Sequence, residues 1–312
     1  MIRLHRNTML LIFLAVLLLV SLSLAFRPSR NSSVVDPDLF KVPDQTKIDR
    51  VEFISDRDTL ELAFLDQRWK VNRKYKADRN LITALFATIY QATAKREVAP
   101  SLTDSIRQVL STQGTRVKLF EQGDVRKEFY VHGNQTTLET WFQLDDQNPY
   151  VVVIPGYRVY VASIFQLGED VWRDKRVFDV NWQNFRLSQT VFPASPDQSF
   201  TLQVSGQNVE VKELPEADTI RISNYLDALS ILSAERYLSE LKAPWDSLAQ
   251  TQPYVKITLT DIAGRSHSLE VFPLIPGQRS LLGRNTSGEY LMMNFQESRM
   301  ALARRSDFTR PE

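Results

Sequence analysis

WKVNRKYKADRNLITALFATI, residues 69–89, meets VEVKELPEADTIRISNYLDAL, residues 209–229, when the chain is slid by 140 positions. Trp69-Lys70-Val71 falls on Val209-Glu210-Val211, and Lys76-Ala77-Asp78 falls on Glu216-Ala217-Asp218. Both stretches read as a short strand, a charged turn and a helix opened by aspartate. In the first, Leu81, Ile82, Leu85, Phe86 and Ile89 share one face at helical spacing. In the second, Ile222, Tyr225, Leu226 and Leu229 do the same. An aspartate just ahead of a helix accepts bonds from free backbone N–H groups and suits the positive end of the helix dipole. Asp78 and Asp218 are therefore read as structural caps. A catalytic pair is the rival reading, but each half needs its own helix start, and the repetition follows from that need.

The same offset continues outward without a gap. Ile82 meets Ile222, Ala94 meets Ala234, Arg96 meets Arg236, Leu119 meets Leu259, Val131 meets Val271, and Tyr150-Val151-Val152 meets Tyr290-Leu291-Met292. Before the first helix, Val51–Ile54 and Leu60–Phe64 alternate around Ser55-Asp56-Arg57-Asp58 and predict a hairpin, with Trp69-Lys70-Val71 as its third strand. After the helices, alternating segments at 116–120, 128–131 and 150–154 have partners at 255–259, 268–272 and 290–293. The expected fold class is α+β: an N-terminal transmembrane helix followed by two tandem repeats, each an antiparallel sheet with one main packed helix.

Thr8 to Phe26 supplies the transmembrane helix. It is 19 residues without a charge, flanked by Arg3, His5 and Arg6 before and by Arg27 and Arg30 after. As a helix it is about 28 Å long, close to the thickness of a bilayer's hydrocarbon. Ser23-Leu24-Ala25 offers an alternative, a cleaved signal peptide. The apolar run exceeds the roughly 7–15 residues of a signal-peptide core, so an uncleaved anchor is expected. The short N-terminal tail has little to translocate, which puts the long C-terminal part on the periplasmic side of an inner membrane. The chain then divides into a cytoplasmic tail (1–7), anchor (8–26), linker (27–47), first repeat (48–168), second repeat (169–305) and flexible tail (306–312).

Composition narrows the chemistry. Cysteine is absent, which removes disulfides, thiol nucleophiles and thiolate metal sites. Lys plus Arg is 38 against 37 for Asp plus Glu, so no basic excess favours nucleic acid. Glycine numbers 10 in 312, and no glycine-rich phosphate loop or nucleophile elbow occurs. His132 and His267 are not equivalent under the offset, and no metal-ligand spacing surrounds either. Arg96 and Arg236 follow the two helices and are read as structural. Asp145-Asp146-Gln147-Asn148-Pro149 lacks the ligand spacing of a calcium loop and is read as a turn. No catalytic, cofactor-binding or metal-binding residue is assigned, and no cofactor is expected.

One junction stands out. Trp172, Arg173, Asp174 and Lys175 lie where the first half hands over to the second. They are read either as an intramolecular clamp, with the indole buried and the charges bridging, or as a contact for a partner.

The Trp-Lys-Val strand running into Ala-Asp and a helix (Trp69 to Leu85), the Tyr-Val-Val-Val-Ile-Pro-Gly segment (Tyr150 to Gly156) and the Trp-Arg-Asp-Lys junction (Trp172 to Lys175) follow an N-terminal anchor. In that order they resemble the bacterial "domain of unknown function 4340" family, in its Bacteroidetes-type members, over most of residues 48–295. Val209 departs from the pattern, standing where that family often has another Trp. The resemblance implies an envelope protein, some relatives of which accompany gliding- or export-type ABC transporter components. It implies no activity and carries over no catalytic residue.

The expected role is a membrane-anchored, extracytoplasmic, non-enzymatic accessory or scaffold protein of an envelope complex. Its partners would be the lipid bilayer, through residues 8–26, and another envelope protein, with no nucleic acid. The alternative is an envelope ligand-binding module using the groove between the repeats. A carboxylate-based hydrolase is the third reading, and no spacing of acidic residues points to its pair.

Overall fold

A computed structural model describes residues 17, 35–42, 44–145, 147–178, 184–205 and 208–310. Apart from Leu17, the anchor expected over residues 8–26 lies outside the described residues. Among the described residues no helix is long and apolar enough to cross a membrane.

The first four strands are β1 (Arg50–Ile54), β2 (Thr59–Leu65), β3 (Arg68–Val71) and β4 (Tyr75–Lys76). Helix α1 (Arg79–Gln91), β5 (Thr93–Glu97) and helix α2 (Pro100–Gln113) follow. Then come β6 (Thr115–Glu121), β7 (Asp124–Asn134), β8 (Glu139–Gln143) and β9 (Tyr150–Val153). These form a nine-stranded antiparallel sheet in the order β4-β3-β2-β1-β6-β7-β8-β9-β5. Tight turns set the hairpins. Asp66 and Gln67 join β2 to β3 with φ of 50° and 63°, and Gln122 and Gly123 join β6 to β7 with φ of 53° and 95°. Paired positive φ values give the turn twist that matches the twist of the flanking strands.

A 3-10 turn (Val161–Gln166) and short helix α3 (Glu169–Trp172) lead to the second set. It comprises β10 (Phe185–Val191), β11 (Phe200–Ser205), β12 (Asn208–Val211), α4 (Thr219–Ile231), β13 (Arg236–Leu238), α5 (Trp245–Leu248), β14 (Val255–Asp261), β15 (Ser266–Val271), β16 (Ser280–Asn285), β17 (Tyr290–Asn294) and α6 (Phe295–Ser298). Its eight-stranded antiparallel sheet runs β12-β11-β10-β14-β15-β16-β17-β13. With the two-residue β4 set aside, both sheets take their strands in the same order along the chain. In each, the strand after the long helix lies at the far edge, beside the last strand.

The chain divides into two compact units, Met1–Thr59 with Ala84–Gln166, and Leu60–Thr83 with Leu167–Glu312. In the first unit Phe129 and Phe142 stack at 4.8 Å, and Phe165 meets both edge-on. Phe40 joins this cluster, 5.2 Å from Phe142 and 2% exposed. The segment read as a linker over 27–47 therefore contributes a core ring. In the second unit β14 buries Val255, Ile257 and Leu259 on alternate positions, and α4 covers the same core with Ile222, Tyr225, Leu226 and Leu229. Phe308 is also in this core, 1% exposed and 4.9 Å from Phe200. It lies in the stretch read from sequence as a flexible tail.

The first set of strands carries two long helices where one was expected. Helix α2 begins with Pro100 in its first turn, a position where the missing N–H costs nothing. It buries only Ile106 and Leu110, so its apolar stripe is too narrow to stand out in the sequence.

Candidate functional site

The two capping aspartates have matching surroundings. Asp78 accepts from the backbone N–H groups of Asn80 and Leu81 at 2.7 and 3.1 Å. Asp218 accepts from Ile220 and Arg221 at 2.8 and 3.4 Å. Their own N–H groups donate at 2.8 Å to the carbonyls of Trp172 and Phe308 respectively. Each carboxylate is occupied by its own helix start.

The Trp172–Lys175 stretch is densely bonded within the second unit. Trp172 is fully buried and ends α3. Arg173 is 8% exposed. Its guanidinium carbon lies 3.5 Å from the centre of the Tyr75 ring and 3.8 Å from that of Tyr237. Its Nη2 donates to both carboxylate oxygens of Glu289 at 3.1 Å. A cation taken this far from water needs a counter-charge and polarisable neighbours, and here it has one carboxylate and two π faces. The planar guanidinium suits a stacked site in a way that an ammonium does not. Arg173 thereby ties β4, β13 and the β16–β17 turn to one point.

Asp174 pairs with Lys76 at 3.2 Å and Arg176 at 2.8 Å. Burial pushes its carboxyl up, but the hydrogen bonds from Arg176 and the charge of Lys76 outweigh this and hold it below the usual carboxylate range. A depressed carboxylate stabilises the fold above its unfolded pKa, and that contribution fades as pH falls through the folded value. Lys175 approaches Asp170 at 3.7 Å, and Asp170 also accepts the Tyr237 N–H at 3.0 Å. Burial pushes the Tyr237 phenol above its ordinary range. Beside this cluster is a polar recess of about 280 Å³, reached by Lys74, His267 and Thr286.

A larger cavity, about 660 Å³, lies elsewhere in the second unit. Tyr225, Tyr254, Phe272, Leu281, Phe295 and Phe308 give it apolar walls. The Tyr225 hydroxyl is engaged by Thr190 Oγ1 at 2.8 Å, and burial pushes that phenol well above its usual range. Three arginines, Arg221, Arg299 and Arg304, and one carboxylate, Asp307, also line the cavity. Of these lining residues the sequence singles out Tyr225 alone, as part of a helix's apolar face and not as part of a site. Asp307 falls in the stretch read as a flexible tail and Arg299 and Arg304 lie just before it, Phe272 reads only as the end of a strand, and Tyr254 precedes the strand read over 255–259.

Among the described residues no group of three or more His, Cys, Asp or Glu side chains is arranged to hold a metal ion. Arg96 lies in β5 and pairs with Glu139 at 3.0 Å, and Arg236 lies in β13 opposite Met292.

The family model described as "Domain of unknown function (DUF4340)" matches residues 69–251, more than half of the chain. No curated protein and no solved structure matches it.

Proposed function

The chain belongs to the DUF4340 family, and from that premise we propose that it is a membrane-anchored accessory or scaffold protein of the bacterial cell envelope, acting by contact. The anchor in this reading is Thr8–Phe26, and the body lies on the periplasmic side. The body is a tandem duplication. The common strand order of the two sheets supports this, as do the paired aspartate caps and the 140-residue register of the sequence.

The observation that carries the reading is how the junction's polar groups are used. Arg173, Asp174 and Lys175 are taken up by Glu289, Lys76, Arg176 and Asp170. These contacts join β4, β13 and the β16–β17 turn within the second unit, a use of charge that suits a scaffold. Site-specific photo-cross-linking from exposed positions of the second unit, in intact cells, tests the proposal. A discrete adduct with a permease or ATPase subunit of the same membrane is expected. Recovery of the monomer alone from every position would overturn it.

The alternative, a ligand-binding module, is favoured by a different observation, the 660 Å³ cavity. Its lining comes wholly from the second unit, so this form of the reading does not depend on a groove between repeats.

A further inference from the structure

The large cavity of the second unit has the chemistry of a site for a single-chain amphiphile with an anionic head. Its volume, about 660 Å³, lies within the range of roughly 300–1,000 Å³ typical of small-ligand sites. Phe272, Leu281 and Phe308 are each at most 3% exposed and form a fixed apolar floor. Two further lining residues, Leu274 and Met300, are 37% and 55% exposed. An apolar chain lying in the cavity and over its mouth would take that surface out of water, which is the main favourable term in such binding.

The charges are one-sided. Against the single carboxylate of Asp307 stand three guanidinium groups. Arg304 donates through Nη2 to the Tyr254 hydroxyl at 3.0 Å, and through Nε at 3.3 Å, while the charges of Asp307 and Asp197 act on it from farther off. Arg221 donates to the Asp307 carbonyl at 2.7 Å and is 3.9 Å from Asp218, whose carboxylate already serves the α4 backbone. Among the described residues no hydrogen bond or ion pair engages the Arg299 guanidinium. Guanidinium groups bind carboxylate and phosphate oxygens through short, charge-assisted bonds.

We propose that this cavity binds an acyl chain ending in a carboxylate or phosphate, with the chain against Phe272, Leu281 and Phe308 and the head against Arg299 and Arg304. The site is separate from the scaffold reading, since it needs no protein partner.

The full chain, reconstituted in phospholipid nanodiscs so that no detergent competes, is irradiated with a diazirine analogue of palmitic acid. Adducts are located by peptide mass spectrometry. Label is expected to concentrate in residues 272–281 and 295–308. Excess palmitate or palmitoyl lysophosphatidate should suppress it, and palmityl alcohol should not. Which of the two acids competes at lower concentration distinguishes a carboxylate from a phosphate head. Arg299→Glu with Arg304→Glu, both at exposed positions, removes both contacts to the head and should lower labelling at least about tenfold. Unchanged circular dichroism would confirm that this variant is folded. Arg299→Glu alone, which removes no internal bond, should lower labelling in the same direction. Label spread evenly over the surface, equal competition by the alcohol, or undiminished labelling of a folded double variant would each overturn the proposal.

Discussion

Arg173 condenses the residue-scale physics of this protein. A buried guanidinium between two tyrosine rings and a carboxylate is worth most when all three contacts are kept, because removing one partner leaves the others desolvated without compensation. The side chains of Arg173 and Glu289 are 9% and 26% exposed, so Glu289 can recover part of its hydration when the arginine goes. Arg173→Ala is therefore expected to cost about 2–4 kcal/mol, at or below the range for stranding a fully buried charge. Arg173→Lys keeps the charge and loses the planar stack, and should cost about 1–2 kcal/mol. Urea unfolding of the full chain gives both values, and two variants within about 0.5 kcal/mol of the parent would refute the clamp. Sequence makes Arg173 conspicuous, as a cation beside a tryptophan at a junction. It gives no hint of Tyr75, Tyr237 or Glu289. Those partners lie far along the chain, and only the folded topology brings them together.

Elements were legible where their own residues carry the pattern. Strand β14 buries every second residue, and α1 places Ile82, Leu85 and Ile89 on one face, so period alone reveals both. Helix α2 escapes because 14 residues bury just two apolar side chains, and a stripe that thin resembles a polar connection. Strands β5 and β13 escape for another reason. They are short, and what makes them strands is the partner ladders at β9 and β17 rather than their own alternation. The caps of α1 and α4 give a prediction proper to this scale. Each aspartate satisfies two backbone N–H groups, so Asp78→Ala and Asp218→Ala should each cost about 1 kcal/mol, while the asparagine variants should cost only a few tenths. Hydrogen exchange at residues 80–82 and 220–222 reports the loss locally. An asparagine variant as damaging as the alanine one would mean that the carboxylate charge, and not the cap bond, is what matters.

At the scale of the whole molecule, the proposed duplication explains why residues 306–310, which read as a loose tail, pack against the second unit's core. Each long helix begins at an aspartate whose N–H needs an acceptor, and the acceptor comes from chain that follows the last strand of the corresponding sheet: Trp172 after β9, Phe308 after β17. For the first helix that closing residue is continuous with more protein. For the second it lies in a charged, glycine-free stretch that reads as loose but is held by the Phe308 ring and by bonds of Arg304, Ser306 and Asp307 to Tyr254, Gln198 and Arg221. Phe308 lies 4.9 Å from Phe200 and 5.5 Å from Tyr225, with its carbonyl on the Asp218 N–H. Phe308→Ala removes the ring and should cost about 3–5 kcal/mol, and a chain ending at Ala303 loses the carbonyl as well. In hydrogen-exchange measurements on the truncated protein, α4 and strands β10 and β11, the helix and sheet margin that the ring packs against, should lose protection before β6 to β8 do. Phe308→Leu, which keeps the carbonyl and most of the apolar volume, should restore much of that protection. If a chain ending at Ala303 protects residues 219–231 as well as the full one does, the last turn is dispensable and the closing role assigned to Phe308 is wrong.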